Sequence, residues 1–160
     1  MSNAPPENNF SINTQLDFRR PELNTFLAYW LSKRGDRDFP RRSEINPAEF
    51  PKLLPWINMY DVLDGGRDFR FRICGTALTE VIGFEIGGKF VSEVAPKIAE
   101  RINLTLQAVL EARAPIRATT DRSAIPGQDF QGSEACALPL SSNGTDIDII
   151  IVASLLDTRK

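Results

Sequence analysis

Five large apolar residues, Leu23, Phe26, Leu27, Trp30 and Leu31, recur at the i, i+3, i+4, i+7, i+8 spacing of one helical face. Pro21 suits the first helical turn, Lys33 and Arg34 suit the C-terminal dipole, and Gly35 is placed for the C-cap, so the pattern predicts an amphipathic helix over 21–34. The period then changes from 3.6 to 2. Phe69, Phe71 and Ile73 alternate with Arg70 and Arg72, as in a half-buried strand, and Asp64-Gly65-Gly66-Arg67 joins them in a hairpin to a strand over 56–63. Thr76 is placed to cap a short helix over 77–82 that Gly83 ends. A longer helix is predicted over 96–113, with Ile98, Ile102, Thr105/Leu106, Val109 and Arg113 along one face and Pro115 as its stop. Three strands follow, over 116–123, 130–140 and 146–157, the last two joined through Asn143-Gly144. The last carries Ile147, Ile149, Ile151 and Ala153 on one face and Ile150 and Val152 on the other, which predicts a central strand covered on both sides.

Between these elements the chain is punctuated. Residues 1–16 are rich in Asn, Pro and Ser and read as a flexible leader. Pro40, Pro47, Pro51 and Pro55 exclude long regular structure from residues 35–55, where Asn46 can cap a single turn. The expected organisation is one domain over 17–160, with the first helix and Pro-rich connector in 17–55 and a core in 56–157. Helix, hairpin, helices and three strands with short connections predict an α+β fold on an antiparallel sheet.

Composition narrows the chemistry. None of the 160 residues is histidine, which removes Ser-His-Asp and Cys-His catalysis, His-ligated haem and His-based metal sites. Cys74 and Cys136 form no C-x-x-C pair, so no structural metal site is expected, and they read as small buried hydrophobes of a cytoplasmic protein. The formal net charge of −2 gives no bulk attraction to nucleic acid or an anionic membrane. Arg19, Arg20, Lys33, Arg34, Arg37, Arg41 and Arg42 are diluted by Asp17, Glu22, Asp36, Asp38 and Glu44.

A group of short motifs carries a resemblance. Tyr29-Trp30, Arg34-Gly35, Pro40, Ile45-Asn46-Pro47, Leu54-Pro55, Arg70-Phe71-Arg72-Ile73-Cys74-Gly75-Thr76, Gly83, Gly88-Lys89, Leu138-Pro139-Leu140 and Asn143-Gly144 together resemble a bacterial, often stand-alone PAS-like subgroup, over roughly residues 18–157. The resemblance implies five antiparallel strands in the spatial order second-first-fifth-fourth-third. Helices lie on one face, and the Tyr-Trp helix caps the other face or pairs with a second copy. It implies sensing or protein–protein contact rather than catalysis. Cys74 stands in Arg-Ile-Cys-Gly-Thr and not in the Asn-Cys-Arg-Phe-Leu motif of flavin photoreceptors, so no flavin–cysteine chemistry is expected.

Two sets of residues follow as candidates. A pocket for a small apolar or amphipathic ligand is expected from Phe71, Ile73, Leu78, Ile82, Val109, Cys136, Ile149 and Ile151. An interface is expected from Leu23, Phe26, Leu27, Tyr29, Trp30 and Leu31, forming a homodimer or meeting a separate signalling protein. The alternative is a small isomerase-type enzyme with a buried acid at Tyr60, Asp61 or Asp148. No catalytic residue, cofactor or metal ligand is otherwise expected.

Overall fold

The computed structural model describes residues 10–83, 85–120 and 130–158. Helix α1 spans Pro21–Arg34, with Pro21 in its first turn. It ends at Gly35, whose φ of 60° suits glycine and whose N–H donates to the Leu31 carbonyl at 3.2 Å. Strands β2 (Ile57–Leu63) and β3 (Asp68–Ile73) form the expected hairpin, and α2 covers Thr76–Ile82. Gly75 takes the N-cap position expected of Thr76, because the backbone there is packed too closely for a side chain, as described below. Helix α3 runs Pro96–Ala112 and closes on Arg113 in the left-handed region. Arg113 therefore leaves the helix face, sets its guanidinium 5.2 Å from the Phe39 ring and donates to the Thr145 carbonyl.

Strands β4 (Ile116–Thr120), β5 (Phe130–Leu140) and β6 (Ile149–Thr158) complete the sheet. The expected extension of β4 over 121–123 lies outside the described residues. Strand β6 starts three residues later than expected. Asn143 Oδ1 accepts from the Thr145 and Asp146 amides and draws that segment into the turn.

With an edge strand β1 (Ser11–Asn13), the sheet has six strands in the order β1-β4-β5-β6-β2-β3, and every neighbouring pair is antiparallel. Leaving out β1, the order is the second-first-fifth-fourth-third arrangement expected of five strands. The additional strand β1 is paired to β4. It falls inside the segment expected as a leader, of which Ser11–Asn13 thus belong to the sheet.

Helices cover both faces. Side chains alternate across β5, so Glu134, Cys136 and Leu138 face α1, while Ser133 and Ala135 face α3. Leu23, Phe26 and Trp30 of α1 are fully buried, and Phe50 of the Pro-rich connector meets Phe26 and Tyr29 edge-on at 5.2 and 4.5 Å. The expected interface stripe is thus spent within the fold. Its three central residues are core, Leu27 and Tyr29 are half-buried, and Leu31 is exposed.

Two interactions seat α1. Trp30 Nε1 donates to the Pro139 carbonyl at 2.8 Å. Glu134, 1% exposed, accepts from the Arg19 and Arg20 amides at 2.8 and 3.0 Å and from Arg117 Nε at 2.8 Å. A buried carboxylate at the helix N-terminus satisfies amides that have no partner within the helix.

Candidate functional site: a cavity beneath the long helix

The sheet face under α3 is hollowed by small side chains. Ala118, Ala135 and Ser154 stand directly opposite one another across β4, β5 and β6. Leu106, Ile102 and Ile98 approach from α3, and Leu78 and Ala77 from α2. The space left is a cavity of about 160 Å³. That is far more than the roughly 10–15 Å³ one water needs, and close to the ~150 Å³ of an engineered cavity that holds benzene.

Its wall is predominantly apolar, with a few polar groups at defined places. Asn58 and Tyr60 point into it from alternate positions of β2, and both are buried. Asn58 Oδ1 accepts from the Gly75 amide at 2.8 Å, which fixes the orientation of the side-chain amide. Tyr60 lies 5.0 Å from the Phe71 ring, and burial, with the neighbouring Cys74, pushes its phenol well above the usual range. On the far side Arg101 Nη1 donates to Thr120 Oγ1 at 2.9 Å, and its guanidinium sits 5.4 Å from the Phe10 ring. Thr105 returns its hydroxyl to the Arg101 carbonyl. No Asp or Glu lines the cavity among the described residues.

Of the eight residues expected to line a pocket, only Leu78 does so. Cys136, Ile149 and Ile151 belong to the opposite face of the sheet, beneath α1, and burial raises the Cys136 thiol well above its ordinary range. Phe71 and Val109 are buried in the core beside the cavity, and Ile82 is half-buried against that core. Ile73 is 38% exposed at the end of β3. The reason is parity. Strand β6 is apolar on both faces, so its pattern does not say which face meets α1 and which meets α3. Of the polar lining residues, sequence reasoning named Tyr60 only as an acid and missed Asn58, Ser133 and Ser154; Asn58 and Ser154 carried one signal, a lone polar side chain within an apolar run of strand.

Of the three candidate acids of the enzymatic alternative, only Tyr60 lines this cavity. Asp61 faces away from the cavity and pairs with Arg70 at 3.1 Å and Arg72 at 3.0 Å. Asp148 sits in the turn before β6 and accepts from Ser142. Cys74 and Cys136 are both free thiols. Cys136 is on β5 and Cys74 directly follows β3, three strand spacings away, about 14 Å at ~4.8 Å per strand and beyond disulfide reach. Among the described residues no cluster of three or more His, Cys, Asp or Glu is placed to hold a metal ion, and no helix is long and apolar enough to cross a membrane.

A six-strand antiparallel sheet with a long helix across a small-residue hollow is a PAS arrangement, and comparison with known proteins agrees. The PAS domain family model matches residues 18–152, so the chain belongs to the PAS family. Among solved structures it is similar to the PAS domain of Bordetella pertussis BvgS, with a TM-score of 0.51 and 20% identity over 71% of this chain and 88% of that one. At that identity the likeness concerns the fold. No curated protein matches the chain.

Proposed function

We propose that this chain is a sensory module that takes a small apolar or amphipathic molecule into the cavity beneath α3 and passes its occupancy to a separate signalling protein. As a PAS domain it belongs to a family of sensory and signalling modules. The observation that carries the finer reading is the hollow at Ala118, Ala135 and Ser154, roofed by Leu106, Ile102 and Leu78 and edged by a few polar groups, as small-molecule sites are. Transmission has a short route. Ser133 and Ala135 line the cavity, and Glu134 between them holds the amides of Arg19 and Arg20, which lead into α1, on the other face. A ligand that shifts β5 bears on α1 through that carboxylate.

Because Leu23, Phe26 and Trp30 are core, the surface presented to a partner lies outside those three residues. The isomerase alternative keeps only Tyr60 in the cavity wall, since neither Asp61 nor Asp148 reaches it to serve as the carboxylate.

A panel of one-ring compounds tested by thermal unfolding checks the proposal. Ligands of the cavity raise Tm in the wild type by mass action, and Ser154→Phe, which fills the hollow, abolishes the shift. No shift with any compound, or equal shifts in the variant, contradicts it.

A further inference from the structure

Two hydrogen-bond donors stand side by side in the cavity wall without an acceptor among the described residues. Asn58 and Tyr60 occupy alternate positions of β2, both line the cavity, and each is 3% exposed. The Asn58 carbonyl oxygen is engaged by the Gly75 amide, so the side of that amide left over is its NH₂. The Tyr60 hydroxyl has no hydrogen-bond partner among the described residues, and neither has the Asn58 NH₂. Neither atom is sealed in protein: both open onto the cavity, so the partner they lack is one that the occupant of the cavity can supply. No carboxylate lines the described wall, and no hydroxyl or carbonyl of the described residues is hydrogen-bonded to either donor.

We propose that the ligand of this cavity carries a carbonyl oxygen that accepts hydrogen bonds from Asn58 Nδ2 and the Tyr60 hydroxyl. Its apolar body, about one six-membered ring in size, lies in the hollow between Ala118, Ala135, Ser154 and Leu106. This rests on the reading of the cavity as a ligand site and adds to it the chemical class of the ligand. The orientation follows from the wall. The donors belong to β2 while the small-residue hollow spans β4 to β6, and the polar groups of the far side, Arg101, Thr120 and Thr105, already hold partners, so the open donors stand at the β2 end. A purely apolar occupant would leave both donors dry and unpaired, at the full desolvation penalty of each. The Tyr60 phenol is a donor throughout the physiological range, because burial keeps it protonated.

The test compares cyclohexanone with methylenecyclohexane, which share ring and shape and differ by an oxygen in place of a CH₂ group. Dissociation constants are measured by amide NMR titration for the wild type and for Tyr60→Phe, which loses one oxygen and keeps the ring packed on Phe71. The expected result is that Tyr60→Phe weakens cyclohexanone about fivefold or more, the value of a hydrogen bond lost in a dry site, and leaves methylenecyclohexane unchanged. If both compounds bind and the substitution moves both equally, or neither, the carbonyl assignment is overturned and the cavity remains a ligand site. If neither compound binds the wild type, the ligand-site reading falls with it.

Discussion

The indole nitrogen of Trp30 and the carbonyl oxygen of Pro139 meet at 2.8 Å and join the first helix to β5, the longest of the described strands, next to its outgoing turn. A residue type that dominates protein interfaces is here an internal anchor, 1% exposed. Trp30→Ala is expected to lower the unfolding free energy by about 3–5 kcal/mol through the cavity it leaves. Trp30→Phe, which keeps most of the packing and strands the Pro139 carbonyl, is expected to cost about 1–3 kcal/mol. Urea unfolding measures both, and a wild-type midpoint for Trp30→Ala would return this residue to the surface.

Glu134 holds three donors from two elements at once. Removing it leaves Arg117, whose side chain is 14% exposed, largely buried beside an uncapped helix end. Glu134→Ala is therefore expected to destabilise by about 3–5 kcal/mol, as breaking a buried pair does. Replacing both partners with apolar residues, as in Glu134→Leu with Arg117→Met, should recover part of that loss. Urea titration of the single and double variants decides, and a double variant worse than the sum of the singles contradicts the pairing.

Gly75 tolerates no side chain. A Cβ there would press on the carbonyl oxygens of Pro55 and Ile57, the latter at 2.7 Å, and both are backbone that cannot swing aside. The same residue supplies the N–H that orients Asn58 in the cavity wall. Gly75→Ala is expected to cost about 1–3 kcal/mol, a typical figure for overpacking. Gly87→Ala, where nothing lies within 4 Å, serves as its control and should unfold like the wild type. Equal Tm values for the two variants would contradict the close approach.

The chain has two tyrosines, and burial raises the phenol of each, Tyr60 far more than Tyr29. A folded-state pKa above the unfolded value of about 10 means the native state holds the proton longer, so stability is full below that pH and declines as pH rises beyond it. Absorbance at the phenolate band should therefore show Tyr60 ionising only together with alkaline unfolding, while Tyr29 titrates earlier. Two native tyrosines titrating together near the ordinary value would contradict the burial of Tyr60.

How much of this was legible beforehand follows from which signals are local. The bounds of α1 are written in Pro21, the apolar spacing and Gly35, and those of β5 in its alternation and the Asn143-Gly144 turn. The identity of the faces is not local. Ile149 and Ile151 read the same as Ile150 and Val152 until α1 and α3 are placed on opposite sides, so the expected pocket fell mostly on the wrong face. The α1 stripe shows the same gap, since periodicity reports an apolar face and not whether the chain or a partner covers it. Strand β1 was hidden because its three residues are fixed by pairing with β4 rather than by their own pattern.

The central claim, that the hollow beneath α3 takes a small molecule, is tested most directly by native mass spectrometry of the 17.9 kDa chain incubated with a mixture of one-ring compounds, alongside Ser154→Phe. The account predicts a reproducible added mass on the wild-type protomer and none on the variant. A bare wild-type protomer, or the same adducts on both proteins, would contradict it.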